Sequence, residues 1–139
     1  MRILIFTAIL LVNSSFAQNK NESVATQLSV IDNGAYVGSK SQIVSKYKIV
    51  LSSLTKKFKL KEIEIGDQSA YTKQTLSEEY GIEEAILNIM EGLDEISDNK
   101  MGKTKYSECL GYYVLARSKG YTHGQAIYSL RTIFHALKK

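Results

Sequence analysis

Residues 104–139 read TKYSECLGYYVLARSKGYTHGQAIYSLRTIFHALKK, and this stretch decides the fold. Apolar residues recur at helical spacing on both sides of Gly120, a residue suited to the left-handed conformation that ends many helices. Thr122 and Gln125 form a capping-box pattern that starts a second helix. The stretch therefore predicts a helical hairpin with helices at about 104–118 and 122–138. Its apolar positions are Tyr106, Cys109, Leu110, Tyr113 and Val114, then Ala126, Ile127, Leu130, Ile133, Phe134 and Leu137.

The middle of the chain predicts two strongly amphipathic helices and a weaker one. Residues 40–58 form the first, and Ser39 or Ser41 could cap it. Residues 82–97 carry a continuous apolar stripe, as a core-facing helix requires. Residues 67–80 predict a weaker helix. The buried face expected for the first of these helices comprises Ile43, Tyr47, Val50, Leu51, Leu54 and Phe58.

Two shorter stretches allow alternatives. Residues 24–37 could hold a short helix or a hairpin turning at Asn33-Gly34, and the helix is favoured because an isolated hairpin is marginally stable. Residues 58–65 alternate like a strand, but the phase slips by one residue, which favours a loop leading into the next helix. Taken together, these elements predict an all-α protein that forms a single compact bundle of four or five helices.

The N-terminus predicts export. Arg2 is followed by the apolar run Ile3–Val12 and by small residues before a cleavage site ahead of Gln18. The apolar run is about half the length that spans a bilayer. We therefore expect a signal peptide at 1–17, a flexible or short-helical segment at 18–38 and a helical domain at 39–139, located in the periplasm or outside the cell.

The net charge and the cysteine count limit the functions that can be expected. The net charge of +4 is too small to indicate nucleic-acid binding. The single cysteine, Cys109, cannot form an internal disulfide, so it either packs as a small hydrophobe or links two chains. Membrane contact is expected only through the signal peptide during export, and the sequence does not indicate the oligomeric state.

The charges form blocks along the chain. Residues 40–61 contain seven lysines and no acid, whereas residues 78–98 contain eight acids and no base. Such runs are usually solvated helix faces, although opposite blocks in one chain can also pair with each other in the fold.

Two groups of residues are candidates for a site. Tyr128, Arg131 and His135 share the outer face of the last helix and form the candidate interaction surface, since arginine and tyrosine are enriched where proteins bind partners. Arg117 lies on the buried arc of its helix and must find an acceptor there. We expect a structural ion pair with a carboxylate, and the candidates are Glu83, Glu84 and Glu91.

No pattern in the sequence indicates catalysis. It contains no phosphate-binding glycine loop, no paired-histidine zinc motif and no Cys-x-x-Cys, so we predict no catalytic residue, no metal and no cofactor. The favoured function is a non-catalytic binding or structural role towards a protein or a cell-envelope component. The alternative is a small envelope-associated hydrolase that uses a histidine with Glu and Tyr partners.

Export makes a direct prediction about the mature chain. Cleavage after Ala17 removes Arg2 and leaves Gln18 as the first residue. We expect sequencing of the protein purified from its native host to begin at Gln18, and a chain that still begins at Met1 would contradict the signal peptide.

Overall fold

The computed structural model describes residues 23–102 and 105–137. Within these residues every regular element is a helix, and there are six, one more than the upper count expected from the sequence. The predicted signal peptide at 1–17 lies outside the described residues. The helices are α1 (Val24–Asn33), α2 (Gln42–Phe58), α3 (Glu62–Tyr80), α4 (Ile86–Ile96), α5 (Lys105–Ser118) and α6 (His123–Leu137).

The helices form one compact unit in which α3 and α4 lie in the middle. Helices α1 and α2 pack against each other and against α3 and α4. Helices α5 and α6 pack against each other, with α5 on α3 and α6 on α4. None of the helices in 23–102 and 105–137 is long and apolar enough to cross a lipid bilayer.

The C-terminal hairpin forms as its sequence predicts. Gly120 has a φ of 93° between α5 and α6. The Thr122 N–H donates to Oε1 of Gln125 (2.9 Å), and the Gln125 N–H donates to the Thr122 hydroxyl (3.2 Å), so both bonds of the capping box are present. The apolar faces of the two helices enter the core, where Tyr106, Cys109, Leu110, Tyr113, Ala126, Ile127, Leu130 and Phe134 are buried.

Helix α2 begins at Gln42, and Ser41 is its cap. The Ser41 hydroxyl accepts from the Val44 N–H (3.2 Å). Val44 is fully buried, whereas Ile43, which the pattern assigned to the buried face, is 40% exposed. The buried face therefore starts at Val44, which lies one turn before Tyr47.

Helix α3 begins at Glu62, five residues earlier than the sequence predicts. Lys59 ends α2 in the left-handed conformation (φ 56°), and this turn accounts for the phase slip in residues 58–65. Glu64 then accepts from the Lys61 N–H (2.8 Å) and places negative charge in the first turn, where the helix dipole favours it. The alternating pattern thus belongs to two helices and the turn between them.

Helix α4 begins at Ile86, not at Ile82, because a residue distant in sequence caps it. Asp32 of α1 accepts from the Ile86 N–H at Oδ1 (2.8 Å) and from the Leu87 N–H at Oδ2 (3.1 Å). The Tyr47 hydroxyl donates to the same carboxylate (2.6 Å), and Lys73 Nζ lies 3.8 Å from it. Burial, and then the bond to Asp32, raise the pKa of Tyr47.

Removing the Asp32 carboxylate should destabilise the whole bundle. Its side chain is 5% exposed, and Asp32→Ala leaves three hydrogen-bond donors without their acceptor. It also removes the negative charge 3.8 Å from the Lys73 ammonium, which donates to the carbonyl oxygen of Glu84 (2.8 Å). We expect a loss of about 3 kcal/mol in the free energy of unfolding, measured by urea denaturation. Glu108→Ala, at an exposed acid on α5, is the control and should change stability by less than about 0.5 kcal/mol. An Asp32→Ala variant as stable as the control would contradict this role.

Candidate functional site

A groove of about 370 Å³ runs between α4 and α6. It combines an imidazole, a guanidinium, two carboxylates and an exposed aromatic ring. We refer to it as the α4–α6 groove. Its lining residues are Asn88, Glu91, Gly92, Glu95, His123, Gly124, Ile127, Tyr128 and Arg131.

The two helices approach closely at the floor of this groove. A methyl group placed on Gly92 would lie 2.5 Å from Cδ1 of Ile127 and 3.2 Å from Cε1 of His123. Glycine is therefore the residue that lets α6 pack this near to α4. Gly124, by contrast, has open space where a side chain would project.

Four polar side chains form a connected network at one end of the groove. Arg117 Nη1 donates to Glu84 Oε2 (2.6 Å) and to the Tyr113 hydroxyl (2.8 Å). The same hydroxyl lies 2.7 Å from Nδ1 of His123, whose ring meets that of Tyr113 edge to face. The Glu84 and Arg117 side chains are each 11% exposed, and His123 Nδ1 is 3.9 Å from Glu84 Oε2.

The network shifts the titration of its members. Burial alone would raise the pKa of Glu84, but hydrogen bonds from Asn88 and Arg117, and the charges of His123 and Arg117, outweigh it and lower the pKa. Burial likewise acts against the charged form of Arg117, whose pKa is nevertheless raised by its bonds to Glu84 and Tyr113. Burial raises the pKa of Tyr113 to about 12. Glu84 is thus a carboxylate and Arg117 a guanidinium at neutral pH.

The hydrogen bonds favour one tautomer of neutral His123. The Tyr113 hydroxyl accepts from Arg117, so its own hydrogen is left to donate, and His123 Nδ1 is the acceptor in reach. Neutral His123 then carries its proton on Nε2, which makes no hydrogen bond with the part of the chain described. Because His123 lines the groove, the group that it can offer a ligand is an N–H donor.

The other end of the groove contains two of the three residues predicted as an interaction surface. Tyr128 is 70% exposed. Arg131 Nη2 donates to Glu95 Oε1 (2.8 Å) across the groove, and both side chains remain about half exposed. His135 is also exposed on α6 but does not line the groove. The structure therefore joins Tyr128 and Arg131 to His123, and leaves His135 beyond the end of the groove.

Of the three acids expected to face Arg117, the structure places Glu84 against it. Glu83 instead accepts from the Ser77 hydroxyl (2.7 Å), and Glu91 lines the α4–α6 groove. The sequence interpretation did not assign His123 to a site. The available signal was Tyr113, ten positions away on the buried arc of α5, because a buried tyrosine hydroxyl needs a partner.

Cys109 is a core residue and does not belong to the groove. It is 1% exposed, and burial raises the pKa of its thiol to about 12. The thiol therefore packs as a small hydrophobe and is not accessible for a disulfide between chains. In the part of the chain described, no group of three or more His, Cys, Asp or Glu side chains is placed to hold a metal ion.

A second groove of about 370 Å³ lies between α3 and α5. Two half-exposed rings, Tyr71 and Tyr80, line it together with the apolar side chains of Leu110 and Val114. Gly111 lines it and has open space where a side chain would project. Glu79 is its one charged lining residue, whereas the α4–α6 groove combines charges of both signs with an imidazole.

The Glu84–Arg117 pair predicts an acid-dependent loss of stability. Because the folded-state pKa of Glu84 is lowered, its stabilising effect is complete above the ordinary glutamate pKa and is lost as the pH falls through the lowered value. Glu84→Gln should reduce the free energy of unfolding by about 2 kcal/mol at neutral pH. The difference from wild type should shrink towards zero on acidification, as measured by urea denaturation between about pH 7 and pH 3.

The control for this experiment is Glu83→Gln, which neutralises an exposed neighbour. We expect its stability to follow that of wild type at every pH. If the two variants give the same pH profile, the Arg117 pair makes no specific contribution.

No protein-family model, no curated protein and no solved structure matches the chain. What the α4–α6 groove can do is therefore inferred from its own groups. These are an N–H donor at His123, an apolar and aromatic wall at Ile127 and Tyr128, and the exposed Arg131–Glu95 pair.

Proposed function

We propose that this is a small exported helical domain with a non-catalytic role, which binds a partner protein through the α4–α6 groove. The observation that carries the proposal is the groove itself, which lies beside a tyrosine ring that is 70% exposed. An exposed tyrosine next to an arginine is the composition that dominates binding energy at protein interfaces. Export rests on the sequence of residues 1–17.

The groove suits a peptide segment that has both polar and apolar groups. Ile127 and Tyr128 can cover an apolar side chain, while His123 and Arg131 can donate to carbonyl or carboxylate oxygens of the partner. The Arg131–Glu95 pair is exposed, so little energy is needed to open it and re-form its bonds with a ligand.

One observation favours the alternative of a small hydrolase. His123 lies with a tyrosine and a glutamate, Tyr113 and Glu84, which is the combination that such an enzyme would use. Two features weigh against it. The inferred tautomer gives His123 a proton on Nε2, whereas a general base needs a free electron pair there. The one hydroxyl lining the groove is that of Tyr128, so a serine or threonine nucleophile does not line it. Binding is therefore the preferred function.

Filling the groove should abolish partner binding without disturbing the fold. Gly124 has open space at its Cβ and no positive φ, so Gly124→Phe should fold and place its ring in the groove. We expect at least a tenfold loss of partner capture, measured by quantitative mass spectrometry after crosslinking in the native host. Replacing Tyr128, Arg131 and His135 together by alanine should have a similar effect.

The matched control is Gly111→Phe, which makes the same change at a helical glycine with equally open space in the α3–α5 groove. Partners are counted as specific when wild type and Gly111→Phe capture them equally. Equal capture by Gly124→Phe and by the triple alanine variant would show that the α4–α6 groove is not the binding site.

A further inference from the structure

The lysine block at residues 40–61 remains largely uncompensated in the folded protein. Of its seven lysines, Lys57 is the one that forms an ion pair with a described carboxylate, that of Asp94 (2.8 Å). Lys48 donates to the carbonyl oxygen of Ser39. The other five are exposed, and none of them forms an ion pair with an acid among the residues described: Lys40, Lys46, Lys56, Lys59 and Lys61. The acidic block at 78–98 therefore does not neutralise them.

The same helix exposes an apolar side chain among these lysines. Ile49 is 72% exposed, more than any other large apolar side chain described. Lys46 and Lys56 lie within about 60° of it around the helix axis, so the three share one outer face. We call the surface formed by Lys46, Ile49 and Lys56 the α2 lysine face.

We propose that the α2 lysine face binds the surface of an anionic lipid bilayer. Lysines close to such a surface are attracted by its negative potential, and apolar side chains on the same helix face enter the interfacial region. The exposed Ile49 favours a bilayer over a soluble polyanion, because a bilayer removes its side chain from water and a polyanion does not. This extends membrane contact beyond the signal peptide, to which the sequence interpretation confined it.

The position of α2 in the fold leaves this face available. Helix α2 packs on α1, α3 and α4 through its opposite side, where Val44, Tyr47, Leu51 and Leu54 are buried. Helix α6 packs on α4 and α5, and the residues that line the α4–α6 groove all belong to α4 and α6. Binding of a bilayer at α2 is therefore independent of the function proposed for the groove.

Vesicle sedimentation of the full chain tests the proposal. The probes are vesicles of phosphatidylglycerol mixed equally with phosphatidylcholine, and vesicles of phosphatidylcholine alone. We expect stronger binding to the anionic vesicles than to those of phosphatidylcholine alone, and the difference should shrink as salt is added. Lys46→Glu with Lys56→Glu should lower the affinity by at least about 25-fold, at roughly fivefold for each lysine.

The matched control, Lys100→Glu with Lys119→Glu, reverses the charge of two exposed lysines outside α2. It changes the net charge by the same amount as Lys46→Glu with Lys56→Glu. Any binding by residues 1–22 is common to all variants. We expect the control to retain the wild-type affinity within a few fold. Equal weakening by both double variants would show that binding follows net charge alone and would overturn the proposal.

Ile49→Ser distinguishes a bilayer from a soluble polyanion. It should weaken binding to the anionic vesicles about tenfold and leave binding to heparin unchanged. If Ile49→Ser binds the vesicles like wild type, the face recognises negative charge without a lipid surface, and the proposal is wrong. Circular dichroism of each variant checks that the helices are retained.

Discussion

The buried carboxylate of Asp32 is the interaction on which the arrangement of the first four helices depends. A charge that is 5% exposed must be met by donors, because an unpaired one costs several kcal/mol. Here α1 supplies the acid, α2 supplies the Tyr47 hydroxyl, α3 the Lys73 ammonium and α4 two backbone N–H groups. A shift of α2 or α4 relative to α1 would therefore leave a donor without its acceptor.

The same carboxylate has consequences for the α4–α6 groove. Because Asp32 caps α4 at Ile86, residues 82–85 stay outside the helix. Glu84 lies in this non-helical segment and reaches Arg117 of α5. Arg117 then directs the Tyr113 hydroxyl towards His123. A chain of contacts thus leads from a side chain in α1 to the proton that His123 can offer in the groove.

The sequence alone predicted those elements that are determined by residues close to one another in the chain. The hairpin needed only the apolar periodicity, a glycine at 120 and the reciprocal bonds of Thr122 and Gln125, all within a few residues of one another. The prediction that Arg117 needs an acceptor also came from local information, because its position on the arc of the helix places its side chain towards the core. The three candidate acids could not be ranked, because their directions depend on where α4 begins.

The features that the sequence did not indicate depend on contacts between distant positions. The apolar stripe at 82–97 continues through residues 82–85, so periodicity alone extended α4 by one turn. The residue that ends this extension is 54 positions away from Ile86. His123 was missed for a similar reason, since its partner, Tyr113, lies on another helix. The apolar pattern of one helix does not show which residue of another helix its polar groups will contact.

The distribution of charge links the two surfaces to the architecture. Helix α4 contributes Asp94 to the side of α2, where it neutralises Lys57, and Glu91 and Glu95 to the groove beside α6. The carboxylates of α4 are therefore divided between α2 and the groove beside α6. They are too few to neutralise the lysines on the outer face of α2 as well. The excess positive charge remains on that face, and charges of both signs remain in the groove. A bilayer would contact the outer face of α2, and a partner would contact α4 and α6 in the groove, so the two proposed surfaces share no residue.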